Sequence, residues 1–117
     1  MPRQESGEPY YRMTIDEAAA QFGNEDTIFV DVRRPDEYVT GHIKDALFII
    51  VDDILARIDE LPQDKKLLFI CAAGVRSGLA CEMAAAMGFD SENLFNIEEG
   101  TEAWINAGHP TSYGSDA

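Results

Sequence analysis

Positive charge is what this sequence has least of. Nine Lys and Arg stand against 22 Asp and Glu, a formal charge of -13, and beyond Lys66 the only cation is Arg76. Nucleic-acid binding needs clustered Lys and Arg to neutralise phosphates, so that class is excluded, and anionic membrane surfaces are disfavoured for the same reason. Long apolar runs are missing too. "ALFIIV" and "LLFIC" are too short to cross a bilayer. The first residues, "MPRQESGEPYYR", show no apolar stretch of the secretory kind, which makes a cytoplasmic location the expectation. Cysteine is scarce. Cys71 and Cys81, with the scattered His42 and His109, supply neither a disulfide framework nor a zinc-ligand spacing, so no metal is expected.

What is present is a globular balance, 45% hydrophobic and 26% charged over 117 residues, enough for one domain. "TIDEAAAQFG" opens on a capping box, Thr14 with Glu17, and closes on Gly23 as a short helix. "TIFVDV" reads as a strand. "RRPDEYVTGHI" follows as a loop with one helical turn after Pro35. "ALFII" is a second strand, and "VDDILARIDEL" an amphipathic helix stopped before Pro62. "KLLFIC" is the near-continuous apolar run of a strand buried on both faces. A helix from Arg76 to Met87 carries Leu79, Met83 and Met87 at every fourth position. "NLFNI" and "TEAWINAG" give a last strand and a last helix. The alternation predicts a single α/β domain, a parallel sheet with helices on both faces. Residues 1–12 and 111–117 are expected to be flexible polar segments around a domain at 13–110.

In such sheets ligands bind beyond the carboxyl ends of the strands, and Cys71 ends the most buried-looking strand. The small residues Ala72, Ala73 and Gly74 let the following backbone curl so that successive N–H groups form a nest for an anion. The helix start adds free N–H groups, Arg76 a planar cation at the rim, and Ser77 a hydroxyl. Each of these stabilises negative charge where the Cys71 sulfur sits, and the expected product is a thiolate nucleophile. Val75 completes the loop. Cys81, inside the helix with no cation beside it, reads as structural. So do the Asp31–Arg33 pair, His42, Glu37, Tyr38 and the core anchor Trp104. Glu98, Glu99 and Glu102 form a small acidic face able to receive a basic partner protein.

Three blocks of this sequence resemble the rhodanese, or sulfurtransferase, domain family, single-domain type. They are "VDVRRPDEYVTGHIKDA", "CAAGVRS" and "NIEEGTEAWINAGHP", in the family's order, within about residues 13 to 110. The resemblance implies a five-stranded parallel sheet and sulfane sulfur transfer without a cofactor. Cys71 would carry a persulfide, Arg76 would orient donor or loop, and the amides of Ala72, Ala73, Gly74, Val75 and Ser77 would cradle the charge. Four residues separate Cys71 from Arg76, where related phosphatases and arsenate reductases resemble C-x5-R, and the shorter loop favours sulfur over a tetrahedral oxyanion. The sequence departs from the family in its uncharged loop positions, in Gly100-Thr101 where Gly-Gly is usual, and in Lys44-Asp45 after Gly-His-Ile. A protein persulfide or a low-molecular-weight persulfide therefore stands beside thiosulfate as donor. A binding or regulatory module that keeps the fold without catalysis is the alternative from another class, and a phosphatase or arsenate reductase a third.

Overall fold

The computed structural model describes all residues, 1–117. Its centre is β5 (Lys66–Ile70), flanked in hydrogen-bonding register by β2 (Thr27–Asp31) on one side and β6 (Leu94–Ile97) on the other. β1 (Tyr11–Met13) closes the β6 edge and β4 (Leu47–Phe48) the β2 edge, giving five parallel strands in the order β1-β6-β5-β2-β4. Side chains alternate along a strand, and β5 shows the consequence. Leu67, Phe69 and Cys71 face one core with Val30, Ile54, Ala80 and Ala84, whereas Leu68 and Ile70 face the other with Phe29, Ile97 and Trp104. Both faces are therefore covered, as the unbroken apolar run requires.

α1 (Ile15–Ala19) forms behind the capping box read from the sequence. The Glu17 amide donates to Thr14 Oγ1 at 3.1 Å and the Thr14 amide to Glu17 Oε1 at 2.8 Å. α2 (Pro35–Tyr38) is the single turn expected after Pro35. α3 (Val75–Ala86) packs on the first core and α4 (Thr101–Asn106) carries Trp104 into the second. A small antiparallel pair, β3 (His42–Ile43) with β7 (Thr111–Ser112), holds the C-terminal segment.

Two features differ from the sequence reading, and two more go beyond it. The segment Val51–Leu61 is not one helix but two 3₁₀ turns, Val51–Asp53 and Ile58–Glu60. Its apolar spacing of three, four and three fits a helix, yet two short turns with a break between them also bring Val51, Ile54, Ile58 and Leu61 onto the first core, so periodicity does not separate the two. The second strand shrinks to two residues. Along α3 the buried face is Ser77, Gly78, Ala80, Cys81 and Ala84, while Leu79 and Met87 point outward. Small residues let α3 lie close to the sheet, Leu79 and Met87 take the other side, and Met83 is half-buried against the first core. Finally, both terminal segments enter sheets: Tyr10 is buried, Tyr11–Met13 form β1, Arg3 pairs with Arg12 across an antiparallel bridge, and the Gly114 amide bonds the Val39 carbonyl.

Asp31, at the carboxyl end of β2, is fully buried and takes Arg33 Nε at 3.0 Å and Nη2 at 2.8 Å. Arg33 Nη2 also donates to the Gly41 carbonyl at 2.8 Å. This pair organises the turn, as expected from its position. Asp31→Ala strands a buried guanidinium, and a loss of about 3–5 kcal/mol is expected, read as a lower urea midpoint at unchanged slope. A loss under about 1 kcal/mol would refute this role.

Candidate active site

Cys71 is the first residue past β5 and is 1% exposed. Gly74, in the left-handed region at φ 87°, turns the chain back so that its amide donates to Cys71 Sγ at 3.1 Å. A side chain there would meet the Glu98 carbonyl oxygen at 2.8 Å, so only glycine makes this turn. Ser77 Oγ lies 3.3 Å from Sγ on the first turn of α3. Burial pushes the Cys71 thiol up, but the Ser77 hydroxyl and the amides of Ser77, Ala73 and Gly74 outweigh it, and the net shift is below the ordinary thiol value.

Asn96, in the middle of β6, fixes this arrangement. Its Nδ2 donates to the Gly74 carbonyl at 3.0 Å, which can only accept, so its Oδ1 faces Ser77 and takes that hydroxyl at 2.6 Å. With the Ser77 proton so committed, a neutral Cys71 donates to Ser77 Oγ; once Cys71 ionises, the hydroxyl is placed to turn toward sulfur. Behind the nucleophile, the Thr101 amide and hydroxyl both donate to the Cys71 carbonyl, at 3.0 and 3.2 Å. Thr101 thus uses the position where a second glycine was expected.

Arg76 stands at the rim of the loop with its guanidinium engaged. Its guanidinium forms a two-pronged pair with Glu37 on α2, Nη1 to Oε1 at 2.6 Å and Nη2 to Oε2 at 2.9 Å. Hydrogen bonding from Arg76 holds the Glu37 carboxyl down at about 2 against the opposing effect of burial. The direct contacts that lower Cys71 are amides and a hydroxyl, the Arg76 charge attracts the thiolate from a distance, and its pair with Glu37 makes it a strut between the loop and α2. Of the remaining loop residues, Ala72 and Val75 are exposed, and Ala73 contributes its amide.

Sequence reasoning did not find Asn96 or the Glu37–Arg76 pair. Asn96 lies within an apolar strand, and its one signal was being polar there. Glu37 is 39 residues from its partner. His42 is buried and stacked on Tyr38 at 3.6 Å, its ring nitrogens on the carbonyls of Tyr38 and Asp116, which leaves it no part in the loop. Cys81 is buried, its thiol pushed well up by desolvation. No group of three or more potential ligands gathers to hold a metal, and no helix is long and apolar enough to cross a membrane.

Comparison with known proteins agrees with this fold. The family model described as "Rhodanese-like domain" matches residues 14–107. A sulfurtransferase of Allochromatium vinosum is 35% identical over 86 residues, 74% of this chain and 78% of its own. Among solved structures, a rhodanese-like domain protein from Staphylococcus aureus superposes with a TM-score of 0.75 at 30% identity, covering 89% of this chain and 98% of its own. A Rhodopseudomonas palustris protein of unknown function, described as a possible tyrosine phosphatase, reaches the same TM-score at 28% identity, with 96% of this chain and 99% of that one covered.

Proposed function

The chain belongs to the rhodanese-like domain family, and from that premise we propose that it is a sulfurtransferase that carries sulfane sulfur on Cys71. The observation that carries this reading is the Cys71 sulfur held 3.1 Å from the Gly74 amide and 3.3 Å from the Ser77 hydroxyl at the base of a four-residue loop. Such a cradle suits an anionic sulfur before and after loading.

The Cys71 thiolate attacks the sulfane sulfur of a persulfide or of thiosulfate. A new S–S bond forms, the donor's S–S bond breaks, and a thiolate or sulfite leaves with the electron pair. A nucleophilic acceptor, cyanide in an assay or a thiolate, then attacks the outer sulfur and releases Cys71 as thiolate. No net oxidation occurs and no cofactor enters. Two unpaired cysteines accord with a cytoplasmic setting.

Reduced protein incubated with thiosulfate, or with glutathione persulfide, is expected to gain one sulfur, about 32 Da, on the Cys71 peptide. It is expected to release thiocyanate with cyanide, and no phosphate from p-nitrophenyl phosphate. A free, alkylatable Cys71 that neither donor loads would overturn the reading and favour a non-catalytic module. Phosphate release would favour the phosphatase.

A further inference from the structure

The acidic character of the chain takes a specific form around the loop. The arginines near it are each already committed: Arg3 and Arg12 to Glu98, Arg12 also to Glu8, Arg33 to Asp31, Arg34 to Asp36, and Arg76 to Glu37. Lys66 begins β5, at the end of the strand away from Cys71, with Lys65 just before it, and Lys44 lines a cavity elsewhere. A small dianion approaching Cys71 therefore meets no free cation. The acidic face read as Glu98, Glu99 and Glu102 is partly used up: Glu98 binds Arg3 and Arg12, and Glu99 accepts the Ile15 amide. Glu102 and, on α3, Glu82 are exposed and make no ion pair. They line two grooves that reach the loop, one of about 390 Å³ at Ala72 and one of about 770 Å³ at Ala73, Gly74 and Val75.

The larger groove is also apolar where it meets the loop. Val75 is 78% exposed and Leu79 44%. Spacing of four keeps these side chains on one stripe of α3 that begins four residues after the nucleophile. An apolar stripe left uncovered on a highly charged protein marks a contact surface.

We propose that the sulfur-exchanging substrate is a cysteine carried on another polypeptide, in a segment with Lys or Arg beside the cysteine and an apolar residue seated on Val75 and Leu79. This rests on the sulfurtransferase reading above and names its substrate class. Charge complementarity selects the occupant: the unpaired carboxylates of Glu82 and Glu102 repel thiosulfate and attract a basic segment, and the apolar stripe gives such a segment a purchase that a small anion cannot use. Exchange is balanced without a co-reactant. The Cys71 thiolate takes the outer sulfur of the peptide persulfide, one S–S bond replaces another, and the peptide leaves as thiolate.

The test compares Cys71 loading by four donors at low salt. These are thiosulfate, glutathione persulfide, and two persulfidated six-residue peptides that share a cysteine and a leucine but carry either lysines or glutamates. The lysine peptide is expected to load Cys71 at least about 10-fold faster than the glutamate peptide or thiosulfate, with the gap closing as salt screens the carboxylates. Glu82→Gln with Glu102→Gln is expected to bring the peptide ratio toward one, and Leu79→Ser to raise the lysine peptide's KM about threefold or more. Equal rates for the two peptides, or thiosulfate matching the lysine peptide, would overturn this proposal while leaving the sulfurtransferase reading intact. Failure of all four donors would overturn both.

Discussion

Cys71→Ser is expected to abolish sulfur transfer, by on the order of 10³-fold or more, while leaving the fold in place. Serine is isosteric enough to fill the site and can keep the Gly74 amide and Ser77 hydroxyl as partners, so the change in stability should stay within about 1 kcal/mol. A hydroxyl at that position cannot ionise at neutral pH and cannot accept sulfane sulfur. The informative control is the ionisation itself. Because the Cys71 thiol titrates below the ordinary value of 9.0, its alkylation by iodoacetamide should reach half-maximal rate at a pH below that of a free thiol. The linkage has the same sign. The thiolate is favoured in the folded state, so the stability it contributes grows as pH rises past the folded value and is lost as pH falls through it. Ser77→Ala removes the hydroxyl that most lowers the thiol and should move the alkylation midpoint upward. Retained thiocyanate formation in Cys71→Ser, or a midpoint above that of a free thiol, would refute the assignment of the nucleophile.

The parts of this site that could be read in advance are the local ones. "KLLFICAAGVRSG" holds a strand, its end, a turn of small residues and a helix start within one stretch, so chain geometry alone brings Cys71, Gly74 and Ser77 together. The residues that complete the site come from far along the chain. Glu37 reaches Arg76 from α2, Asn96 reaches Ser77 from β6, and Thr101 reaches Cys71 from α4. Nothing in the spacing of one sequence encodes those meetings. The same distinction accounts for α3. Leu79, Met83 and Met87 have the period of a buried face, yet the helix approaches the sheet through Ser77, Gly78 and Ala80 because the loop anchors its first turn against Asn96. β1 is three residues long at a sheet edge, too short for any period to register.

Gly100 is where the largest structural effect is expected. It precedes α4 with φ 86° and ψ 175°, a region essentially closed to other residues. A Cβ at this position would lie 1.9 Å from the Ala72 carbonyl oxygen and 2.6 Å from its carbon. Those atoms are backbone of the nucleophile loop and cannot swing aside as a side chain could. Gly100→Ala therefore demands that either the loop or the start of α4 move. Backbone strain alone costs about 1–3 kcal/mol, and the contact raises the expected loss to about 4 kcal/mol or more. Movement of the loop also breaks the bonds from Thr101 to the Cys71 carbonyl, so sulfur loading should fall even in the folded fraction. Urea unfolding and Cys71 loading on the same preparation separate the two effects. Thr101→Val, which removes only the hydroxyl bond to Cys71, should cost about 1 kcal/mol and leave most of the loading. If Gly100→Ala instead proves as stable as the parent and loads Cys71 at the parent rate, the close approach of α4 to the loop is not what holds the nucleophile in place.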